Sequence, residues 1–233
     1  MSTDSENVKQ FFDQTDNYLH KRFGIQIRSE LIKSMLGNRV YKNVLDVGCG
    51  DGKISLPIFT NKTQLTLLDL SDKMLELATA NVPQEMKGHV NTYCGSLDSF
   101  APDKKYDLIL AIGLLAHTPS VEEALEKMKS LLNDDGRLIV QFSDYQHLIT
   151  KIALSTSKGY SYKLQKIRRS DLRNLCRKTG FKIERAVKFA NIIPGMGRLP
   201  DKMLYSFVKM SVKSKLFSAY NSEYLWMLSK NAN

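Results

Sequence analysis

The chain has 233 residues, 42% of them hydrophobic, three cysteines and a formal net charge of +10. That length suits one α/β domain with an elaboration. No apolar run approaches the ~18 residues of a spanning helix, and three cysteines far apart in sequence exclude a disulfide or zinc framework and fit a reduced, cytoplasmic protein. The chain opens on a polar, acidic stretch without the apolar core of a signal peptide. Residues 5–20 then read as a helix, because Val8, Phe11 and Phe12 fall at i, i+3 and i+4. A second helix follows over 24–37, with Ile25, Ile27, Leu31, Ile32, Met35 and Leu36 as its apolar positions. Both precede the first strand, so residues 1–40 form an N-terminal helical cap and 41–233 the main domain.

The main domain opens on Val44-Leu45-Asp46-Val47-Gly48-Cys49-Gly50-Asp51-Gly52. Residues 44–47 read as a short buried strand, the three glycines as a side-chain-poor turn, and 53–56 as the first turn of a helix. Glycine is needed where the backbone takes positive φ or lies against a ligand. Strand, glycine turn and helix start together surround an open crevice with backbone N–H groups. A dinucleotide fingerprint needs a further glycine at the sixth position, and Lys53 stands there. The Asp-x-Gly-x-Gly-x-Gly pattern, with Asp69 ending the next strand 19 residues after Gly50, resembles motif I of the class I S-adenosylmethionine (SAM) dependent methyltransferases.

Residues 64–68 read as strand two, ending at Asp69, and Ser71 is an N-cap candidate for a helix over 72–80. An ionised carboxylate presents only acceptors and can take both hydroxyls of a ribose. Strand three covers 89–93 and is followed by Gly95-Ser96-Leu97. Strand four covers 106–111 and is nearly continuously apolar, as a buried parallel strand is; Asp107 within it reads as structural. The run from Ile112 to Pro119 places His117 at the mouth of the site, where an imidazole can act as a base or simply bond the loop backbone. An amphipathic helix over 121–132, a turn at 133–136 and strand five over 137–142 follow. Tyr145 and His147 come next, at the sheet end where open α/β folds bind substrates. Residues 143–167 suit a lid. A helix over 169–179 stops at Gly180, strand six covers 181–189 and a last strand 222–229. The insertion 190–220 between them carries a basic amphipathic helix over 200–217, which can cover a substrate cavity or lie on a membrane face.

The acid–base balance changes along this order. Residues 1–150 hold 16 Lys/Arg against 20 Asp/Glu, and 151–233 hold 18 against 4. The basic last third attracts an acidic substrate, a phospholipid surface or nucleic acid, or is a solvated face.

The resemblance implies a Rossmann-like, seven-stranded mixed α/β sheet of order 3-2-1-4-5-7-6, with helices on both faces. It implies SAM as cofactor, S-adenosylhomocysteine as product and no metal. On it, Asp46 and the Gly48-Cys49-Gly50 turn hold the methionine part, Asp69 the ribose, and Leu70, Met74, Ser96 and Leu97 the adenine. Tyr18 is then a lid residue, Ala111 and Ile112 flank the cofactor, and His117 and Tyr145 serve catalysis. Ser96 stands where the family usually has an acid, and Asp98 is the nearest replacement. The Asn/Asp-Pro-Pro-aromatic signature of many amino-group methyltransferases is absent. The Val8-x-x-Phe11-Phe12-Asp13 start and His117 are similar to the branch with quinone-biosynthesis and porphyrin-carboxyl methyltransferases. That branch implies an anionic or hydrophobic small-molecule acceptor, methylated at O, N or C, in secondary-metabolite or cofactor biosynthesis. The competing readings are an RNA or protein methyltransferase using the basic last third, and a non-catalytic SAM-binding regulator.

Overall fold

A computed structural model describes residues 3–14, 22–156, 162–190, 199–214 and 217–231. Two helices, α1 (Thr3–Asp13) and α2 (Arg22–Leu36), come first. The strands are β1 (Asn43–Val47), β2 (Gln64–Asp69), β3 (Val90–Cys94), β4 (Tyr106–Ile112), β5 (Leu132–Ser143), β6 (Phe181–Phe189) and β7 (Glu223–Lys230). They form one sheet in the order β3-β2-β1-β4-β5-β7-β6. All neighbours are parallel except β7, which runs antiparallel to both β5 and β6. This is the order the resemblance implies.

Side chains of each strand alternate between two layers, as the two-residue period of a strand requires. Leu45 and Val47 join one core cluster, and Val44 joins the other. The first cluster packs under α4 (Val121–Leu131) and α6 (Arg169–Lys178) and is centred on Phe142 and Trp226, whose rings meet edge to face at 4.8 Å. The second lies under α2, α3 (Asp72–Ala80) and α7 (Asp201–Lys213).

Three local readings change. The glycine turn leads into no α-helix. A single turn, closed by Leu56 N–H to the Gly52 carbonyl at 2.9 Å, passes into a 3-10 turn over Leu56–Ile58. Pro57 is the reason: it has no N–H to give the Lys53 carbonyl, so a helix begun there cannot propagate. The residues at 133–136, expected as a turn between elements, are an excursion inside β5. The ladder pairs Tyr106 with Leu132 and Leu108 with Arg137, which leaves those four opposite Asp107. Within the expected lid lies a helix, α5 (Leu148–Thr156). The expected helix over 5–20 is described only as α1; the end of that stretch lies outside the described residues.

Asp107 is a tie between strands. Its Oδ2 accepts from the N–H groups of Lys42 and Asn43, both at 2.9 Å, and its Oδ1 from the Asn133 side chain at 2.8 Å. Asp107→Ala leaves those donors unpaired at the entry of β1. It is expected to lower unfolding free energy by about 2 kcal/mol in urea titration.

The apolar face of α7 is used within the protein. Leu204 and Val208 are buried against the second cluster, and Tyr205 donates to the Glu30 carboxylate of α2 at 2.5–2.6 Å. Met203 and Met210 stay exposed, and the described part of 190–220 does not line the cavity below. No helix among the described residues is long and apolar enough to cross a membrane.

Candidate functional site

A cavity of about 540 Å³ opens beyond the ends of β1, β2 and β4, where crevices form in open α/β sheets. Its floor is the glycine turn. Gly48 and Gly50 both take positive φ, +68° and +53°. A Cβ at Gly48 would also come within 3.0 Å of Leu114 Cδ1 on the neighbouring wall. The turn is fastened to β2 because the N–H groups of Gly48 and Cys49 both donate to the Leu68 carbonyl, at 2.8 and 3.1 Å.

Asp69 closes this corner. Its Oδ2 accepts from Gly50 N–H at 2.8 Å and its Oδ1 from Ser71 N–H at 2.9 Å. Burial raises its pKa, and those N–H groups oppose the shift. Asp69 therefore stands as a fixed acceptor in the cavity wall with lone pairs remaining on both oxygens. Ser71 caps α3, accepting from Met74 N–H, and donates to Asp13 at 2.5 Å. With the Lys9–Asp72 ion pair at 2.9 Å, this fastens α1 across the cavity. Val8, Phe11 and Phe12 of α1 form the roof.

His117 ends a short 3-10 turn, Leu115–His117, after β4 and lines the same cavity. Burial pushes its pKa down to about 4, so the ring is neutral at neutral pH. The Phe12 ring meets it edge-on at 5.3 Å, and Tyr162 bonds its Nδ1.

The structure thus brings Gly48, Gly50, Asp69, Leu70, Ser96, Leu97, Ile112 and His117 to one cavity. Asp46, Cys49, Met74 and Ala111 lie behind its wall as buried groups. Cys49 packs its thiol into the second core cluster, where burial raises its pKa. Tyr145 is not in the wall: its N–H donates to the Ile167 carbonyl and Lys166 sits over its ring at 5.0 Å. Tyr18 lies outside the described residues. Ser96 Oγ accepts from Ser99 N–H at 3.1 Å, a local turn bond, and Asp98 lines the cavity beside it. No group of three or more His, Cys, Asp or Glu among the described residues could hold a metal.

Residues 18–186 match the family described as "Methyltransferase domain". The chain belongs to that family. It is 28% identical over 98 residues to a ubiquinone biosynthesis O-methyltransferase of Coxiella burnetii, covering 42% of each chain. That alignment spans about two fifths of the relative's length. It is 25% identical over 236 residues to a malonyl-[acyl-carrier protein] O-methyltransferase 1 of Ilyobacter polytropus, covering 92% of this chain and 87% of the relative. Among solved structures, a possible histamine N-methyltransferase of Thermotoga maritima superposes with a TM-score of 0.71 at 17% identity, covering 98% and 100% of the two chains. The magnesium protoporphyrin IX methyltransferase of Synechocystis, solved with bound S-adenosylhomocysteine, gives 0.67 at 17% identity over 98% and 100%. At that identity the likeness is one of fold.

This methyltransferase-domain chain has wall residues that its motifs do not mark. Arg28 of α2 lines the cavity, with its Nε 3.4 Å from Gln141 Oε1. Gln141 donates to the buried Glu223 carboxylate, which also accepts from Ser143 Oγ at 2.6 Å. Arg28 and Gln141 are 113 residues apart, and Gln141 and Glu223 82, so nothing local signals the chain of bonds. The apolar period of α2 marks a buried face and not the cation beside it.

Proposed function

We propose that this protein is a SAM-dependent methyltransferase acting on a small molecule. The observation that carries the reading is Asp69, a carboxylate held at the end of β2 by the Gly50 N–H of a nearly bare turn. The site fits the cofactor in two further ways. A Cβ on the turn would crowd Leu114, so the floor is kept clear of side chains. Arg28 supplies a cation in the same wall. Asp69 would take the ribose hydroxyls, Leu70, Ser96 and Leu97 would face the adenine, and Arg28 would pair the carboxylate of the methionyl part.

SAM supplies a methyl already activated on a sulfonium. The chain's own work is then to hold the partners in line and keep water out, which can supply ~7–11 kcal/mol of the barrier. The α1 roof of Val8, Phe11 and Phe12 gives the acceptor space a largely apolar side, which supports a small molecule over a polymer. His117 stands against that space. His117→Ala is expected to lower turnover about tenfold and leave SAM affinity unchanged, as initial rates and calorimetry would read it. Methyl-labelled SAM incubated with the protein and a cell extract tests the reading. Label in the small-molecule fraction supports it. Label in RNA or protein overturns the acceptor class, and binding without transfer makes the protein a regulator.

A further inference from the structure

Glu223 is a buried acid that does not itself line the cavity. It begins β7, opposite Ser143 of β5. Gln141 and Ser143 are two residues apart on that strand, so their side chains share a face. The Glu223 carboxylate accepts from both, from Ser143 Oγ at 2.6 Å and from the Gln141 amide nitrogen. Gln141 is buried as well, yet it reaches the cavity wall. On its other side the Arg28 guanidinium brings Nε to 3.4 Å from Gln141 Oε1.

These two neighbours fix the amide. An ionised carboxylate only accepts, and a guanidinium only donates. The NH2 of Gln141 therefore faces Glu223, and its carbonyl oxygen faces Arg28 and the cavity. Turning the amide over would set donor against donor and acceptor against acceptor. Gly113, also in the cavity wall, puts no side chain over that oxygen; even a Cβ there would lie 3.6 Å from it. A carbonyl oxygen has two lone pairs, so the long Arg28 contact leaves acceptor capacity on Gln141. We infer that Gln141 is a cofactor-binding residue whose carbonyl accepts from the ammonium of the methionyl part, and that Glu223 is the positioning residue that turns it that way. This rests on the methyltransferase reading above.

The match is to a zwitterion. The methionyl part carries its carboxylate and its ammonium on one carbon. The wall offers a guanidinium nitrogen and a carbonyl oxygen 3.4 Å apart. A carboxylate drawn to Arg28 brings the ammonium beside Gln141. The charge of Glu223, standing behind the amide, polarises the carbonyl toward a cation. The wider wall agrees. Its described part sets Arg28 against Asp69, Asp98 and Glu123, a balance that suits a ligand with an ammonium and a sulfonium against one carboxylate.

Calorimetry on the full chain with two ligands tests this. One is S-adenosylhomocysteine. The other is its deamino analogue, which keeps the carboxylate and has hydrogen in place of the ammonium. Gln141→Leu is expected to weaken S-adenosylhomocysteine about tenfold and leave the analogue unchanged. Glu223→Gln frees the amide to turn over, so about threefold should be lost for S-adenosylhomocysteine and nothing for the analogue. A loosened fold would weaken both ligands alike and leave their ratio where it was. One readout needs no variant: the carbon-13 resonance of the Gln141 side-chain carbonyl in the wild type should move with S-adenosylhomocysteine and stay with the analogue. Both ligands weakened alike, neither weakened, or a carbonyl resonance that the two ligands move equally overturns the inference. Glu223→Gln behaving as the wild type while Gln141→Leu discriminates overturns the positioning role alone. A wild-type protein that binds neither ligand overturns the cofactor reading beneath it.

Discussion

Replacing Asp69 with alanine is expected to weaken binding of S-adenosylhomocysteine about a hundredfold. A hydrogen bond to a charged group contributes ~1.5–3 kcal/mol, and this carboxylate has acceptor capacity left on both oxygens for two ribose hydroxyls. A further loss comes from the turn itself. The Gly50 and Ser71 N–H groups that now bond Asp69 would lose their partner, and the corner would no longer be held open. Asp69→Asn keeps the shape and one acceptor oxygen, so its loss should be smaller. Calorimetry on the folded variants measures both, with thermal unfolding as the control for the fold. An Asp69→Ala affinity equal to that of the wild type removes Asp69 from the cofactor site.

Asp46→Asn is expected to stabilise the protein at about pH 8 by on the order of 3 kcal/mol, and hardly at all near pH 4. Asp46 is the last residue but one of β1, just before the glycine turn, and is buried. Burial, with the Asp69 charge adding to it, raises its pKa to about 7. The folded state thus holds this proton more tightly than the unfolded chain does. Stability from the group is full below the ordinary carboxylate pKa, falls as pH rises through the window up to about 7, and stays low above it. Asparagine has no proton to lose and removes that slope. Urea midpoints of the two proteins at both pH values check it; a variant equally destabilised at both would show that Asp46 is needed as an acid for the fold.

The parts of the fold that repeat a local pattern were legible in the sequence. The strand-ending acid, the glycine turn and the apolar run of β4 each announce themselves over a few residues. The sheet order followed from the resemblance they carry. Four features were not legible, for physical reasons. Pro57 ends the expected helix after the turn by withholding a single N–H, an effect that a window over 53–56 does not contain. The excursion at 133–136 has turn residues, but only its pairing with β4 shows that it interrupts one strand and does not separate two elements. Tyr162 meets His117 across 45 residues. The segments that join them carry no period linking the two, so this contact of His117 appears only in three dimensions. Arg28 is hidden in a similar way, as a cation on a helix whose apolar face dominates its pattern.

On the proposed function, the Asp69 corner of the cavity holds an adenosyl group. A crystal grown with S-adenosylhomocysteine addresses it most directly. The ribose hydroxyls are expected on the Asp69 carboxylate and the thioether beside the space roofed by Phe12. A ligand bound elsewhere, or an Asp69 carboxylate facing solvent with no hydroxyl upon it, would contradict it.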